Sequence, residues 1–270
     1  MVMDYRKLNR QTVKNNYPLP LITELVDNMG GKRVFTKMDL RWGYNNVRIK
    51  EGDEWKVVFT THAGSFEPVV MFFGMTNSPA MFQVMMNEIL RDMINEGKVA
   101  AFMDDVLVET EMEEGHDKVV DEVLRRLEEN NLYVKPEKCV WKVRKVPFLG
   151  VVMGEGRIEI EEDKMEGVLK WPTPQCVRDV RKFLGLANYY RCFVKNFAKV
   201  ALPMNRLTRK DEKWKWGEEQ QAAFEQLKPV FTTRPVLATP ELDKEFRVEA
   251  DASNFATGGV LSVKYNNDLW

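Results

Sequence analysis

The stretch that most constrains this chain is Val99-Ala100-Ala101-Phe102-Met103-Asp104-Asp105-Val106-Leu107-Val108, where two apolar runs flank adjacent carboxylates. One continuous strand would carry a carboxylate into apolar surroundings, a costly arrangement unless it is paired. Two short strands joined by a tight turn instead leave both acids at a hairpin tip and the apolar arms buried. Asp-Asp is nonetheless a poor choice for such a turn, where Asn-Gly or Asp-Gly is favoured. Two anions held side by side want a cation. A solvated acidic turn is the bland alternative, and the apolar arms together with a third carboxylate upstream argue against it.

That third acid is Asp39, at the end of the strand-like run Val34-Phe35-Thr36-Lys37-Met38-Asp39-Leu40, which leads to Arg41-Trp42-Gly43-Tyr44. With Asp104 and Asp105 it makes a three-carboxylate set on strand ends, the hard-oxygen ligands that suit Mg²⁺. Two such ions, roughly 3.5–4 Å apart, activate a 3′-hydroxyl and stabilise a leaving pyrophosphate in an in-line displacement. Here the chain resembles reverse transcriptases, and more closely those of Gypsy-type LTR retrotransposons. Their signature is an aromatic residue, a variable one and Asp-Asp in a palm hairpin; it reads Phe102-Met103-Asp104-Asp105 in this chain. Phe102 departs from the usual Tyr, losing a hydroxyl and keeping the ring.

With 270 residues, 44% hydrophobic and 30% charged, the chain has globular composition and length enough for two domains. No run approaches a membrane span, and Met1-Val2-Met3-Asp4 is not a signal peptide. Cys139, Cys176 and Cys192 are odd in number and unclustered, which points to reduced thiols inside a cell. Only His62 and His116 occur, so a histidine metal site is disfavoured. Net charge is −1, but its distribution is uneven. Residues 170–210 hold ten Lys/Arg against Asp179 alone, a balance of +9, while residues 107–137 carry ten Asp/Glu and four Lys/Arg, or −6. Such segregation presents a basic face to phosphates; the alternative is a pair of solvated faces.

In chain order, Asp4-Tyr5-Arg6-Lys7-Leu8-Asn9 matches a motif inside the family's fingers. In the family it follows two strands that supply a Lys and an Arg for the triphosphate, and those strands are not in this sequence. Tyr17-Pro18-Leu19-Pro20 leads into a helix over about Leu21–Met29, stopped by Gly30-Gly31. Asn46–Lys50 and Trp55–Thr61 alternate around Glu51-Gly52-Asp53-Glu54, which predicts a hairpin. Ser78 as N-cap and Pro79 at N1 predict a helix to about Glu96, closed by Gly97, with Met81, Met85, Ile89 and Met93 facing the core. Val119, Val120, Val123, Leu124 and Leu127 predict a second amphipathic helix. Two helices against an antiparallel sheet make a palm. Gly154-Glu155-Gly156 supplies a turn before a return strand at Arg157-Ile158. Trp171-Pro172-Thr173-Pro174 breaks the chain before a basic, aromatic helix pair over Val177–Arg191.

The resemblance implies roles for particular residues. The turn through Trp42 and Gly43 offers backbone N–H groups to the nucleotide, and Phe73 lies in the same pocket. Tyr44 matches the steric gate that crowds a ribose 2′-hydroxyl; its alternative is a packed core tyrosine. Phe66-Glu67, Phe73-Gly74, Ser78-Pro79-Ala80 and Phe82-Gln83 fit the next family block, with Phe72 and Val57 departing from its usual Pro and Thr. Lys138, after Tyr133-Val134-Lys135-Pro136-Glu137, matches the candidate general acid for pyrophosphate, against an exposed lysine as alternative. Phe148-Leu149-Gly150 resembles the primer grip. Arg178, Arg181, Lys182 and Arg191 would track a nucleic-acid backbone. Phe246–Ser253 with Gly258–Leu261 resembles the first hairpin of a tethered ribonuclease H, Asp251 matching the first of its metal-binding acids.

The implied fold class is α+β: a right-hand polymerase palm with partial fingers, a helical thumb and a truncated ribonuclease H-like start. The implied domains are fingers 1–38, palm 39–160, thumb 161–212, then a connector and ribonuclease H-like segment over 213–270. The implied activity is RNA-directed DNA synthesis with two Mg²⁺ ions, or Mn²⁺, on an RNA or DNA template-primer with dNTPs. Ribonuclease H activity is not expected, and an intracellular place, in a virus-like particle or the nucleus, follows from the family. A decayed element that keeps only the fold is the rival reading; another polymerase family is a weaker one.

Overall fold

The expected hairpin forms. Strands β4 (Val99–Phe102) and β5 (Asp105–Thr110) pair antiparallel, with Phe102 opposite Asp105 and Met103-Asp104 as the turn. β5 pairs in turn with β1 (Val34–Asp39), so that Asp39 lies opposite Asp105 and Val34 opposite Thr110. β6 (Val140–Val143) lies on the far side of β1, giving the sheet order β4-β5-β1-β6. The computed structural model describes residues 3–194, 196–232, 237–238, 245–252 and 257–264, in two compact units, Met1–Val146 and Pro147–Trp270.

In the first unit, α1 (Arg6–Gln11) and α2 (Ile22–Asn28) precede the sheet, and β2 (Phe59–Thr61) pairs with β3 (Gly64–Phe66). The sheet is packed on one face by α3 (Ser78–Ile89), α4 (Arg91–Asn95) and α5 (His116–Glu129). Met38, Val106 and Val108 from the sheet meet Phe82, Met86, Leu90, Val123 and Leu127 from the helices, all buried. Strand side chains alternate between faces. The face with Met38 and Val106 is therefore sealed by helices, while Lys37, Asp39, Asp105 and Glu109 project from the other.

The second unit holds a sheet in the order β10-β9-β8-β7, with β7 (Lys145–Phe148) entering from the division, β8 (Val151–Gly154), β9 (Arg157–Ile160) and β10 (Leu237–Ala238). The turn at Gly154–Gly156 and the return strand at Arg157 are as expected. Helices α6 (Glu162–Leu169), α7 (Val177–Tyr189), α8 (Phe197–Arg206) and α9 (Glu218–Thr232) bury Val180, Phe183, Ala187, Phe224 and Leu227. β11 (Phe246–Ala252) pairs with β12 (Thr257–Val263), the expected hairpin near the end. Lys195, Ser253 and the residues from Tyr265 onward lie outside the described residues.

Four local expectations are corrected. The hairpin of 46–50 with 55–61 does not form: Gly64, at φ 121, closes a tighter turn that pairs Thr61 with Gly64 and stacks Phe59 on Phe66. Val47 and Ile49 find other backbone partners, accepting from the Met71 N–H at 2.8 Å and donating to the Val69 carbonyl at 2.9 Å, respectively. The N-cap of α3 is Asn77, because the Ser78 hydroxyl donates to the Phe72 carbonyl at 3.0 Å and is already inside the helix. That helix does not run to Glu96. It breaks at Leu90, where the Ile89 carbonyl accepts from the Arg126 guanidinium at 3.1 Å. The most buried stripe is Phe82, Met86, Leu90 and the expected Met93, with Met85 and Ile89 partly buried against the same core and Met81 41% exposed. Finally, Val177–Arg191 is one helix and a short turn; the second helix of the pair begins at Phe197.

Candidate active site

Backbone hydrogen bonds bring the three acids to one end of the first sheet. The antiparallel register sets Asp39 against Asp105, and the Leu40 N–H donates to the Asp104 carbonyl at 2.9 Å, tying the turn to the end of β1. Met103, the first turn residue, has φ 54. That left-handed conformation costs a residue with a side chain about 1–2 kcal/mol. The turn is held from α3: the Met103 N–H donates to Gln83 Oε1 at 2.8 Å, and Gln83 Nε2 donates to the Ala101 carbonyl at 3.0 Å. Gln83 is fully buried.

Each strand-end acid has a lysine. The Asp39 carboxylate accepts from Lys135 Nζ at 2.7 Å, and Lys138 Nζ stands 3.9 Å from its other oxygen. Lys135 reaches Asp39 because the segment 133–135 continues the sheet: Leu40 bridges to Val134, and the Lys135 N–H donates to the Asp39 carbonyl at 2.8 Å. Asp105 pairs with Lys37 Nζ at 3.2 Å. Lys37 lies opposite Leu107, so Asp105 is its diagonal neighbour on the same face. Burial pushes the Asp105 carboxyl up; Lys37 opposes this, and the charges of Asp104 and Asp39 add to it. Among the described residues, no three His, Cys, Asp or Glu side chains stand together as an assembled metal cage.

Trp42, Gly43 and Tyr44 follow the end of β1 and pack beside the turn. Trp42 has φ 58 and is 64% exposed, with the Arg41 guanidinium 4.8 Å from its ring centre. Gly43 is buried against the turn, where an added Cβ would lie 3.4 Å from the Asp104 Cβ. Tyr44 packs between Phe73 and Phe82, with ring centres at 4.7 and 5.8 Å, and its hydroxyl donates to Met103 Sδ at 3.3 Å. Burial, then the Asp104 charge, pushes the Tyr44 hydroxyl up. Phe73 is exposed.

The remaining expected residues lie in the second unit. Phe148 is buried, while Leu149 at φ 51 and Gly150 at φ 82 turn the chain from β7 to β8. The carbonyls of that turn accept from two phenols of α7 and its end: Tyr189 to Leu149, and Tyr190 to Gly150 at 3.0 Å. A Cβ on Gly150 would come within 2.8 Å of the Tyr190 hydroxyl, so the position requires glycine on two grounds. Arg178, Arg181 and Lys182 are exposed on α7 opposite its buried Val180, Phe183 and Leu184, with Arg181 donating to the Thr208 carbonyl at 3.0 Å. Arg191 is exposed just beyond the helix. Asp251 sits on β11 opposite Gly258.

Lys37, Lys135, Gln83, Tyr189 and Tyr190 were not assigned a role from sequence. The period of two between Lys37 and Asp39 was the available signal for the first; the others act across the fold.

Residues 1–153 match the family model described as reverse transcriptase (RNA-dependent DNA polymerase). The chain belongs to the reverse transcriptase family. Residues 216–270 of this reverse transcriptase chain match a second model, an RNase H-like domain found in reverse transcriptase. Among curated relatives, the Transposon Tf2-3 and Tf2-7 polyproteins of Schizosaccharomyces pombe are each 37% identical over 270 residues, covering 100% of this chain and 20% of the relative. The chain thus spans one fifth of the length of those relatives. Two solved structures share its fold. The foamy viral protease-reverse transcriptase in complex with RNA/DNA hybrid has a TM-score of 0.79 at 21% identity, over 99% of this chain and 38% of the other. The form in complex with double-stranded DNA reaches 0.83 at 22% identity, over 97% and 46%. The resemblance read around Phe102–Asp105 and the α+β polymerase fold expected from it are borne out. Among the described residues no helix is long and apolar enough to cross a membrane.

Proposed function

We propose that this chain is the polymerase of a Gypsy-type retrotransposon, extending a DNA primer on an RNA or DNA template by nucleotidyl transfer. The observation that carries the reading is the register itself. It sets Asp39 across from Asp105, with Asp104 tied beside them, in a chain of this family. The donor set fits Mg²⁺, or Mn²⁺, because all three side chains offer hard carboxylate oxygens from adjacent backbone positions. Asp39, Asp104 and Asp105 would hold two such ions, which supply charge stabilisation for the attacking and leaving oxygens when bound. Lys135 and Lys37 balance the charge of Asp39 and Asp105.

The other assignments follow the same reading. Trp42, Gly43, Tyr44 and Phe73 receive the deoxynucleotide, and Tyr44 crowds a 2′-hydroxyl; Tyr44→Ala should then admit ribonucleotides, read as the ratio of deoxy- to ribonucleotide incorporation. Lys138, exposed and near Asp39, protonates the departing pyrophosphate. Phe148-Leu149-Gly150 positions the primer end. Arg178, Arg181, Lys182 and Arg191 contact phosphates of the template-primer without reading sequence. Fingers, palm and thumb take residues 1–38, 39–160 and 161–212. The connector and ribonuclease H-like segment, with Asp251, take 213–270. The setting is an intracellular virus-like particle or the nucleus.

The deciding experiment is primer extension on an RNA template by the full chain, with and without Mg²⁺. Magnesium-dependent extension with dNTPs supports the reading. Binding of the hybrid without extension identifies instead a remnant that keeps only the fold.

A further inference from the structure

We infer that Gln83 is the positioning residue of the aspartate turn, and that Asn87 helps to hold its amide in place. The inference deepens the polymerase reading and rests on it for its consequence, though not for its geometry. Gln83 is fully buried in a helix whose inward neighbours are apolar, and a buried amide is costly unless every polar atom is satisfied. A side chain of the same bulk without polar atoms would fill the space equally well, so packing does not explain the residue.

Its hydrogen bonds do. Oε1 accepts from the Met103 N–H at 2.8 Å, while Nε2 donates to the Ala101 carbonyl at 3.0 Å and to Asn87 Oδ1 at 2.8 Å. Gln83 therefore grips the backbone on both sides of Phe102, at the point where the chain enters a left-handed conformation at Met103. Flipping the amide would set its N–H groups against the Met103 N–H. Asn87 opposes that flip, since its Oδ1 can only receive a donor. Asn87 Nδ2 in turn bonds the Tyr17 hydroxyl at 2.8 Å. From the other side the Tyr44 hydroxyl meets Met103 Sδ at 3.3 Å. Asp104 and Asp105 are the next two residues, so the φ of Met103 decides where both carboxylates point. Return of Met103 to an ordinary φ would also break the pairing of Phe102 with Asp105 and the Leu40 bond to Asp104.

The test uses the full chain with Gln83→Leu, Gln83→Glu and Asn87→Leu. Readouts are hydrogen exchange at the Met103 amide, Mn²⁺ affinity, and the kcat and KM of primer extension. Gln83→Leu should raise Met103 exchange and weaken Mn²⁺ binding by about ten-fold each, the equivalent of ~1.4 kcal/mol. Extension should fall mainly in kcat, with KM for the dNTP little changed. Asn87→Leu should act in the same direction and less. Gln83→Glu keeps the acceptor for Met103, so it should recover most of the loss near pH 6. It should recover less near pH 8, where an ionised carboxylate would face the Ala101 carbonyl. A packing role alone would not produce that pH-dependent rescue. Unchanged Met103 exchange and Mn²⁺ affinity in folded Gln83→Leu would overturn the inference. If that variant does not fold, Gln83→Glu without pH-dependent rescue, or Asn87→Leu without effect, overturns it equally. A wild-type chain that extends no primer defeats the polymerase reading instead, and Met103 exchange still decides the role of Gln83.

Discussion

Two hairpin turns, one in each unit, meet the same difficulty in opposite ways. Met103 at φ 54 and Leu149 at φ 51 both place a side-chain-bearing residue in the left-handed region. The first turn is gripped from within, by a buried amide that bonds the backbone of Ala101 and Met103. The second is gripped by phenols, Tyr189 and Tyr190, on the carbonyls of Leu149 and Gly150. The first turn keeps non-glycine residues, Met103 and Asp104, at both central positions, and in the proposed polymerase Asp104 supplies a carboxylate there. The second carries no charge and gives up a side chain at Gly150 so that Tyr190 can approach. Both turns are thus held by side chains from a neighbouring helix; they differ in that the first keeps a side chain at each central position and the second gives one up.

The largest effect should come from removing the charge that distinguishes the first turn. Asp104→Asn should lower primer extension by on the order of a hundred- to a thousand-fold, as for loss of one preorganised electrostatic group, with template binding unchanged. Near-normal extension would place the chemistry elsewhere.

Next comes a pH dependence belonging to the sheet of the first turn alone. Glu109, on the same strand and face as Asp105, is 2% exposed, has one carboxylate oxygen without a hydrogen-bond partner, and is pushed up to about 8 by burial, Lys32 opposing. Its folded-state value lies above the unfolded one, so the stability it contributes is fully present below about pH 4.5 and is lost as pH rises through about 8. Glu109→Gln should match the parent near pH 5 and exceed it near pH 9 by a few kcal/mol, read from urea midpoints in the first unit. No acid of the second unit is buried among the described residues, so its midpoint should not follow. A constant gap between Gln and Glu across that range would refute the burial.

Smaller, and confined to the second turn, is Gly150→Ala. The added Cβ meets the Tyr190 hydroxyl at a backbone φ of 82, which should destabilise the second unit by about 1–3 kcal/mol. Tyr190→Phe removes one hydrogen bond and should cost about 1 kcal/mol. In the double variant the two losses should not add, since the hydroxyl that clashes is already gone. Additive losses in denaturant unfolding would show that the clash is relieved elsewhere.

The fold was readable in sequence where the signal was local. Apolar arms around Asp104-Asp105, the alternation of Val34–Asp39 and the stripe of Val120, Val123 and Leu127 each report a period that the backbone imposes. What was not readable depends on partners distant in the chain. Gln83 in an apolar helix looks like a solvated position until Met103 is seen beneath it. Lys135 meets Asp39 across a long sequence separation. The most buried face of α3 lies one residue on from Met81, Met85 and Ile89, because Phe82, Met86 and Leu90 form an equally apolar stripe beside them that sequence alone does not rank. The hairpin at 46–61 failed for another reason: Glu54–Val57 coils into a short 3-10 helix, so only Phe59–Thr61 of the expected second arm is extended, and it pairs with Gly64–Phe66. At the candidate site the acids were visible as residues, while the lysines and the amide that arrange them were not.

The register of β1 against β5 bears on how copies of such an element lose function. Side chains alternate along a strand, so deleting one codon within Val34–Asp39 would turn Asp39 to the helix-covered face or force the whole strand to slip. The reading frame would stay open, and Phe102-Met103-Asp104-Asp105 and every other motif would survive intact. A genome survey that counts motifs would score that copy as competent. Strand length between Arg33, whose N–H donates to the Thr110 carbonyl, and Asp39 is therefore as informative a marker of a living copy as the aspartates themselves.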